Sequence, residues 1–403
     1  MPKLVQINVS LNYLSTGKIA EGIAQVAAAN GWDCYTAFSG RYYRESSYPA
    51  IQVSSRIEEL AHYAKSLVFD MQGLGSYLAT QRLVRKLKSI NPDIIHLHVI
   101  HGSFINYKVL FEYAHKYNVP VVWTMHDCWS FTGHCVYFDR AQCDKWKMHC
   151  EHCVQKREYP VSIGFDRSFK NYELKKKLLS NLQSLMMVPV SNWLADFTKQ
   201  SFLGNRDLQV IHNGIDLSVF VPTKSDIRER YNIGDRFLII GVANGFGSRK
   251  GLDDFIRLSE ILGDDYKILL VGAHPEEIAR VPGSMIALPR TSSQKELVEI
   301  YTAADVFANP TYEDNFPTTN LEALACGTPV ITYNTGGSPE AIDAKTGVVI
   351  EQGNIKAFAD AIRKMRENPL ASDDCIQRAA QRFDKDKCFL EYIELYNKIL
   401  QSR

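Results

Sequence analysis

The sequence predicts an α/β protein of two Rossmann-like parallel-sheet domains in tandem, facing across a cleft. Three observations carry this. Short runs rich in Val, Ile and Leu alternate with amphipathic stretches from end to end, the pattern of strands covered on both faces by helices. The pattern stops at Val221-Pro-Thr-Lys-Ser-Asp226 and then restarts. A chain of 403 residues is long enough for two or three domains with sizeable cores.

In the first series, strand-like runs fall at 4–10, 33–38, 94–99, 120–126, 186–191 and 208–212. Helical stretches such as Ile19–Asn30, Tyr77–Ile90 and Phe104–Tyr117 lie between them. In the second, Phe237–Ala243, Lys267–Gly272, Met285–Leu288, Val306–Asn309, Val330–Tyr333 and Gly347–Ile350 read as strands, and 250–262, 294–303, 318–326 and 355–367 as helices. Asp384 to Leu400 reads as a long amphipathic helix. The expected division is a first domain over 1–218, a second over 219–383, and a helix over 384–403 that packs back toward the first.

One stretch, YEDNFPTTNLEALACGTPVI from Tyr312 to Ile331, needs a chemical reason. Pro317 biases Phe316 away from helix, so a helix can begin only after it. Gly327 and Pro329 end that helix, and a strand follows. Thr319-x-x-Glu322 matches a capping box, which gives Glu322 a purely structural reading. The alternative is a ligand site. The acids lie at the carboxyl end of a strand, where open α/β sheets bind ligands. A helix N-terminus there attracts phosphate.

Composition narrows the class. The formal charge is +1, which gives no reason to expect nucleic acid as a partner. Met1-Pro-Lys leads straight into a strand, and no apolar run approaches a membrane span, so a soluble cytoplasmic protein is expected.

The Tyr312–Ile331 stretch, with "IHNGID" (211–216), "RKG" (249–251) and "TGGSPE" (335–340), resembles the family 4 glycosyltransferases of GT-B fold. "DIIHLH" (93–98) and "WTMHD" (123–127) extend the likeness over nearly the whole chain. The resemblance implies a retaining glycosyltransferase of surface polysaccharide or glycolipid assembly. It would move a sugar from a nucleotide-sugar donor, a UDP- or GDP-sugar, to a saccharide or lipid-linked saccharide. Attack would come from the front face with help from the departing phosphate, with no protein nucleophile and no catalytic cofactor. By the same resemblance, Asp314 contacts donor-sugar hydroxyls and Glu322 the ribose. Asp314 stands where the family has Glu, so the neighbouring Glu313 is a second candidate for that contact. Lys250 supplies a point charge for the diphosphate, and Arg249 stands nearest to the arginine the family places further upstream. The amides of Asn315 and Phe316 and the following helix start would face the phosphates. His126 would face the sugar and the acceptor, with Asp127 orienting polar groups nearby. Gly17, in Thr16-Gly17-Lys18, is a candidate for close backbone approach to phosphate or acceptor, and a plain turn explains it equally. Two other readings stay open: an inactive nucleotide-sugar-binding subunit, and a nucleotide-sugar epimerase on the same fold. A phosphorylase would need a pyridoxal-binding lysine motif, which is not found.

Five of the nine cysteines crowd into 128–153. Cys135, Cys143, Cys150 and Cys153 have a spacing suited to tetrahedral structural zinc, with His134, His149 and His152 as alternative ligands. Reduced thiols in a packed loop and disulfides are the competing readings. Finally, FKNYELKKKLL (169–179) sets Lys170, Lys175, Lys176 and Lys177 beside leucines. It reads either as a helix packing its leucines inward or as a basic surface with weak membrane affinity.

Overall fold

The structure, a computed structural model, describes residues 1–402. The chain forms two compact units: 1–212 with 388–403, and 213–387. Asn213-Gly-Ile-Asp216 therefore lies in the second unit. There Ile215 N–H donates to the Phe383 carbonyl (2.7 Å), Lys385 N–H donates to the Ile215 carbonyl (3.0 Å), and Asp216 pairs with Lys385 at 2.6 Å. The helix Lys385–Gln401 begins in the second unit, and all but its first residues belong to the first.

The first unit holds β1 (Lys3–Leu11), β2 (Asp33–Tyr43), β3 (Ala50–Gln52), β4 (Ile94–Leu97), β5 (Val121–Met125), β6 (Leu185–Pro189) and β7 (Asp207–Leu208). They form one sheet in the order β3-β2-β1-β4-β5-β6-β7, with every pair parallel. The order reverses at the β1–β4 boundary, the crevice where open α/β sheets bind ligands. The strand expected over 208–212 is the two-residue β7, although Gln209 and Ile211 N–H still donate to the Met187 and Pro189 carbonyls at 3.1 and 3.2 Å. The expected helix Ile19–Asn30 begins earlier, at Leu14.

The second unit holds β8 (Phe237–Val242), β9 (Tyr266–Val271), β10 (Ile286–Leu288), β11 (Val306–Asn309), β12 (Val330–Tyr333) and β13 (Gly347–Ile350). The sheet is again wholly parallel, in the order β10-β9-β8-β11-β12-β13, and its order reverses between β8 and β11. Ile239, Leu270, Val306 and Ile331 form its centre, with Phe255, Leu258, Phe358 and Ile362 covering it from the helices. These strands are apolar on both faces, which is why they read as unbroken hydrophobic runs.

Candidate active site

The β8–β11 crevice gathers the acidic stretch. Lys250 closes the loop after β8, and its ammonium is hydrogen-bonded to the Asp314 carboxylate in the loop after β11. Three loops are tied together here. Tyr312 N–H donates to the Arg249 carbonyl (2.8 Å), Gly337 N–H to the Asn315 carbonyl (2.6 Å), and Thr335 Oγ1 to the Thr311 carbonyl (2.8 Å). Two glycines make this possible. Gly251 (φ +75°) lies against the Pro310 carbonyl and Gly336 (φ +55°) against the Asp314 carbonyl, where any Cβ would collide.

Glu322 sits half-buried on the helix Thr318–Ala325. That helix has no side-chain cap, and Pro317 occupies the N-cap position, so the capping-box reading is corrected. Instead, fully buried Tyr301 donates its hydroxyl to Glu322 Oε2 at 2.9 Å. The carboxylate is thereby oriented from below. Nothing in the local sequence signals this contact, which joins residues from two helices.

Of the two amides expected to face a diphosphate, that of Asn315 is engaged internally. Asn315 N–H donates to Asp314 Oδ1 (2.9 Å), and the Phe316 side chain is buried beside Phe383. In the loop after β8, the Phe246 and Gly247 amides donate to Glu277 Oε1 at 2.8 and 2.6 Å. Glu277 also accepts from His274 N–H (2.8 Å). Sequence reasoning missed Glu277, although His274-Pro-Glu-Glu277 carries a helix-start signature that could have located it.

In the first unit, the carboxyl ends of β4 and β5 carry a histidine cluster. Gln6 Nε2 donates to the Ala20 carbonyl (2.7 Å), which turns its Oε1 toward His98 Nε2 at 2.9 Å. His98 Nε2 must then be the donor, so its Nδ1 accepts from His126 Nε2 at 3.2 Å. This order leaves the lone pair of a neutral His126 on Nδ1. Asp127 is paired with His101 Nε2 (2.8 Å) and accepts from Trp129 N–H (2.9 Å). Burial pushes the Asp127 carboxyl up, but His101 and the Trp129 amide more than offset this and hold it below its usual range. His101 was not singled out in the sequence, although it follows the same strand end as His98.

The model of Glycosyltransferase Family 4 matches residues 22–219, and that of Glycosyl transferases group 1 matches 223–382. The chain belongs to the family 4 glycosyltransferases. The Escherichia coli (strain K12) protein WcaC, described as a colanic acid biosynthesis glycosyl transferase, is 22% identical over 98% of this chain and 100% of its own. A Campylobacter jejuni N,N'-diacetylbacillosaminyl-diphospho-undecaprenol alpha-1,3-N-acetylgalactosaminyltransferase is 25% identical over 60% of this chain and 69% of its own. The Anabaena protein HepE, solved with UDP-glucose, superposes with a TM-score of 0.67 at 13% identity, each chain covered completely. The two parallel sheets are those of the GT-B fold.

Several expected features of this glycosyltransferase are placed differently by the structure. Gly17 lies inside the helix Leu14–Ala29 and is buried, and a Cβ there would come within 2.7 Å of Ser10 Oγ at the end of β1. Lys175 is not part of a basic surface. It is 1% exposed, donates to the Trp129 carbonyl and lies over the Trp129 ring, and burial pushes its ammonium down to about 7. Leu179 is fully buried and Leu174 and Leu178 pack against the core, so the helix Ser168–Ser180 turns its leucines inward. Arg249 is exposed directly before Lys250, and Glu313 is half-buried.

All nine cysteines are free thiols, which corrects the disulfide reading. Cys135 and Cys153 are hydrogen-bonded to each other, a bond that draws the Cys153 thiol down to about 7. Among the described residues, no three His, Cys, Asp or Glu side chains converge in a metal-holding arrangement. His134 donates from Nδ1 to Asp70 (2.6 Å), and its buried Nε2 has no partner, the orientation a carboxylate gives a metal-ligating histidine.

Burial lowers the buried imidazoles, to about 4 at His126 and about 3 at His96, from the usual 6.5. Such groups bind a proton more readily in the unfolded chain. Their contribution to stability is complete above pH 6.5 and is lost as pH falls toward the folded values. Denaturant unfolding between pH 6.5 and 5 is expected to lose stability with a slope rising toward about 1.4 kcal/mol per pH unit for each such histidine. A flat profile over that window would contradict a neutral cluster.

Proposed function

We propose that the protein is a retaining glycosyltransferase. It transfers a sugar from a nucleoside-diphosphate sugar to a saccharide or lipid-linked saccharide in polysaccharide assembly. The observation that carries this reading is the pairing of Lys250 with Asp314 across the β8–β11 switch point; Glu322, on the helix that follows, is held by Tyr301. On donor binding, the diphosphate takes over the Lys250 ammonium, which releases Asp314 to accept from sugar hydroxyls. Glu322 accepts from the ribose hydroxyls, a charged acceptor suited to paired donors. As the sugar–phosphate bond breaks, Lys250 balances the charge that builds on the leaving group. His126 accepts a hydrogen bond from a sugar hydroxyl at Nδ1, the nitrogen its bond to His98 leaves as lone pair. HepE with UDP-glucose supports a UDP-sugar as donor, and the Campylobacter enzyme's diphospho-undecaprenol substrate supports a lipid-linked acceptor.

A thermal-shift panel of UDP-, GDP- and ADP-sugars, followed by turnover of the stabilising donor, tests the reading. Stabilisation with no turnover against any saccharide acceptor would instead mean a binding subunit. His126→Ala is expected to lower turnover about a hundredfold with donor affinity within threefold. Equal turnover in that variant overturns the role given to His126.

A structural zinc in the 135–153 segment belongs to the same proposal. It is supported by the cysteine spacing, by the neighbouring Cys135 and Cys153 thiols, and by the buried His134 Nε2 without a partner. Cys143 and Cys150 would complete a tetrahedral set, with His134 the alternative to one of the cysteines. Elemental analysis of protein purified without added metal is expected to find about one zinc per chain. Metal-free protein with these thiols all titratable would return the segment to a packed thiol loop.

A further inference from the structure

The helix Arg56–Phe69 is built the opposite way round from an ordinary surface helix. Its buried side chains are Glu59, His62 and Ser66, all polar. Each is satisfied. Glu59 accepts from Gly40 N–H (2.7 Å) and Ser54 Oγ (2.9 Å), His62 bonds Ser76 Oγ and Gly75 N–H (both 2.9 Å), and Ser66 donates to the Met71 carbonyl (3.3 Å). The polar face is therefore stable inside, and the helix cannot roll to hide its other face without stranding these groups.

That other face is apolar and exposed. Ile57, Leu60, Ala61, Ala64 and Val68 fall on one stripe at helical spacing, with Ile57 82% and Leu60 63% exposed. The only exposed charges of the helix are Arg56 and Lys65, both positive, and they flank the stripe on opposite sides at roughly 80–100° from it. Glu58 is held by Arg82 at 2.6 Å. At the helix end, Phe69 stacks on Phe165 (5.7 Å between ring centroids), and the exposed Ile163 and Phe165 continue the patch.

We propose that this face rests on an anionic lipid surface. An in-plane amphipathic helix buries such a stripe at the headgroup boundary, while flanking Arg and Lys stretch toward lipid phosphates and aromatic rings sit at the interface. A second copy of the chain fits less well. A helix of 14 residues presents a strip of about 200 Å², against the roughly 800 Å² per partner of a stable protein interface. The surface also differs from the one the sequence suggested, since the helix Ser168–Ser180 packs its leucines inward. The inference goes beyond the donor-site reading and rests on none of its residues.

Flotation of the full chain with phosphatidylcholine vesicles, with and without phosphatidylglycerol, tests it. Binding is expected to the anionic vesicles at low salt and to weaken at high salt. Leu60→Asp combined with Phe165→Asp should reduce the bound fraction about tenfold or more. Lys65→Gln should reduce it about fivefold. All three side chains are solvent-exposed, so melting temperature and turnover of a soluble acceptor should stay at wild-type values; these readouts separate failure of this surface from failure of the donor site. No flotation at low salt, or variants that float as well as wild type, overturns the proposal. So does a concentration-dependent dimer that Leu60→Asp abolishes, which would assign the face to a second copy.

Discussion

Glu322→Ala is expected to weaken nucleotide-sugar binding by roughly 10²–10⁴-fold, because each hydroxyl bond to a carboxylate contributes about 1.5–3 kcal/mol and two are lost. The fold should survive. Glu322 is half-buried at the sheet's ligand edge, and the helix it sits on begins without a side-chain cap, so no capping bond is removed. Tyr301 would lose its acceptor while fully buried, which limits the stability cost to about 1–3 kcal/mol. Isothermal titration with the donor selected by thermal shift checks the first part, and denaturant unfolding the second. Tyr301→Phe separates orientation from contact: the carboxylate remains but is no longer held, so affinity should fall by about tenfold while turnover at saturation is kept. Full affinity in Glu322→Ala would remove the ribose contact from the proposed function.

Lys250→Ala is expected to lower turnover by about 10²–10³-fold, the scale of losing one preorganised group aimed at developing charge. In the unliganded protein its partner is Asp314, and both side chains are about a fifth exposed (23% and 20%). A pair so placed adds at most about 1 kcal/mol to stability. The melting temperature should therefore move little while kcat collapses. Lys250→Arg keeps the charge but not the compact ammonium, and should recover only part of the rate. A kcat within fivefold of wild type for Lys250→Ala would show that the leaving group is balanced elsewhere, with the exposed Arg249 the first residue to test.

The two sheets were legible in the chain because their strands are covered on both faces. Runs such as Phe237–Val242 and Ile268–Val271 need apolar residues at every position, and such runs leave no ambiguity of phase. The acidic stretch was legible for a related reason. Pro317, Gly327 and Pro329 fix where its helix begins and ends, so Asp314 had to fall in a loop and Glu322 on a helix.

What the chain could not reveal was which partner each polar group takes. Glu322 fits a capping box by spacing, yet bonds Tyr301, a residue 21 positions away on another helix. Lys175 sits in a run of lysines that reads as a solvated face, yet the fold buries it over Trp129. The helix Arg56–Phe69 is the sharpest case. Helical periodicity identifies two faces and is silent on which one turns inward. Glu59, His62 and Ser66 face inward because the Gly40 amide, Ser54, Ser76, the Gly75 amide and the Met71 carbonyl are waiting there. Apolar burial is non-directional and local pattern carries it, whereas a buried hydrogen bond needs a specific partner that only the assembled chain supplies.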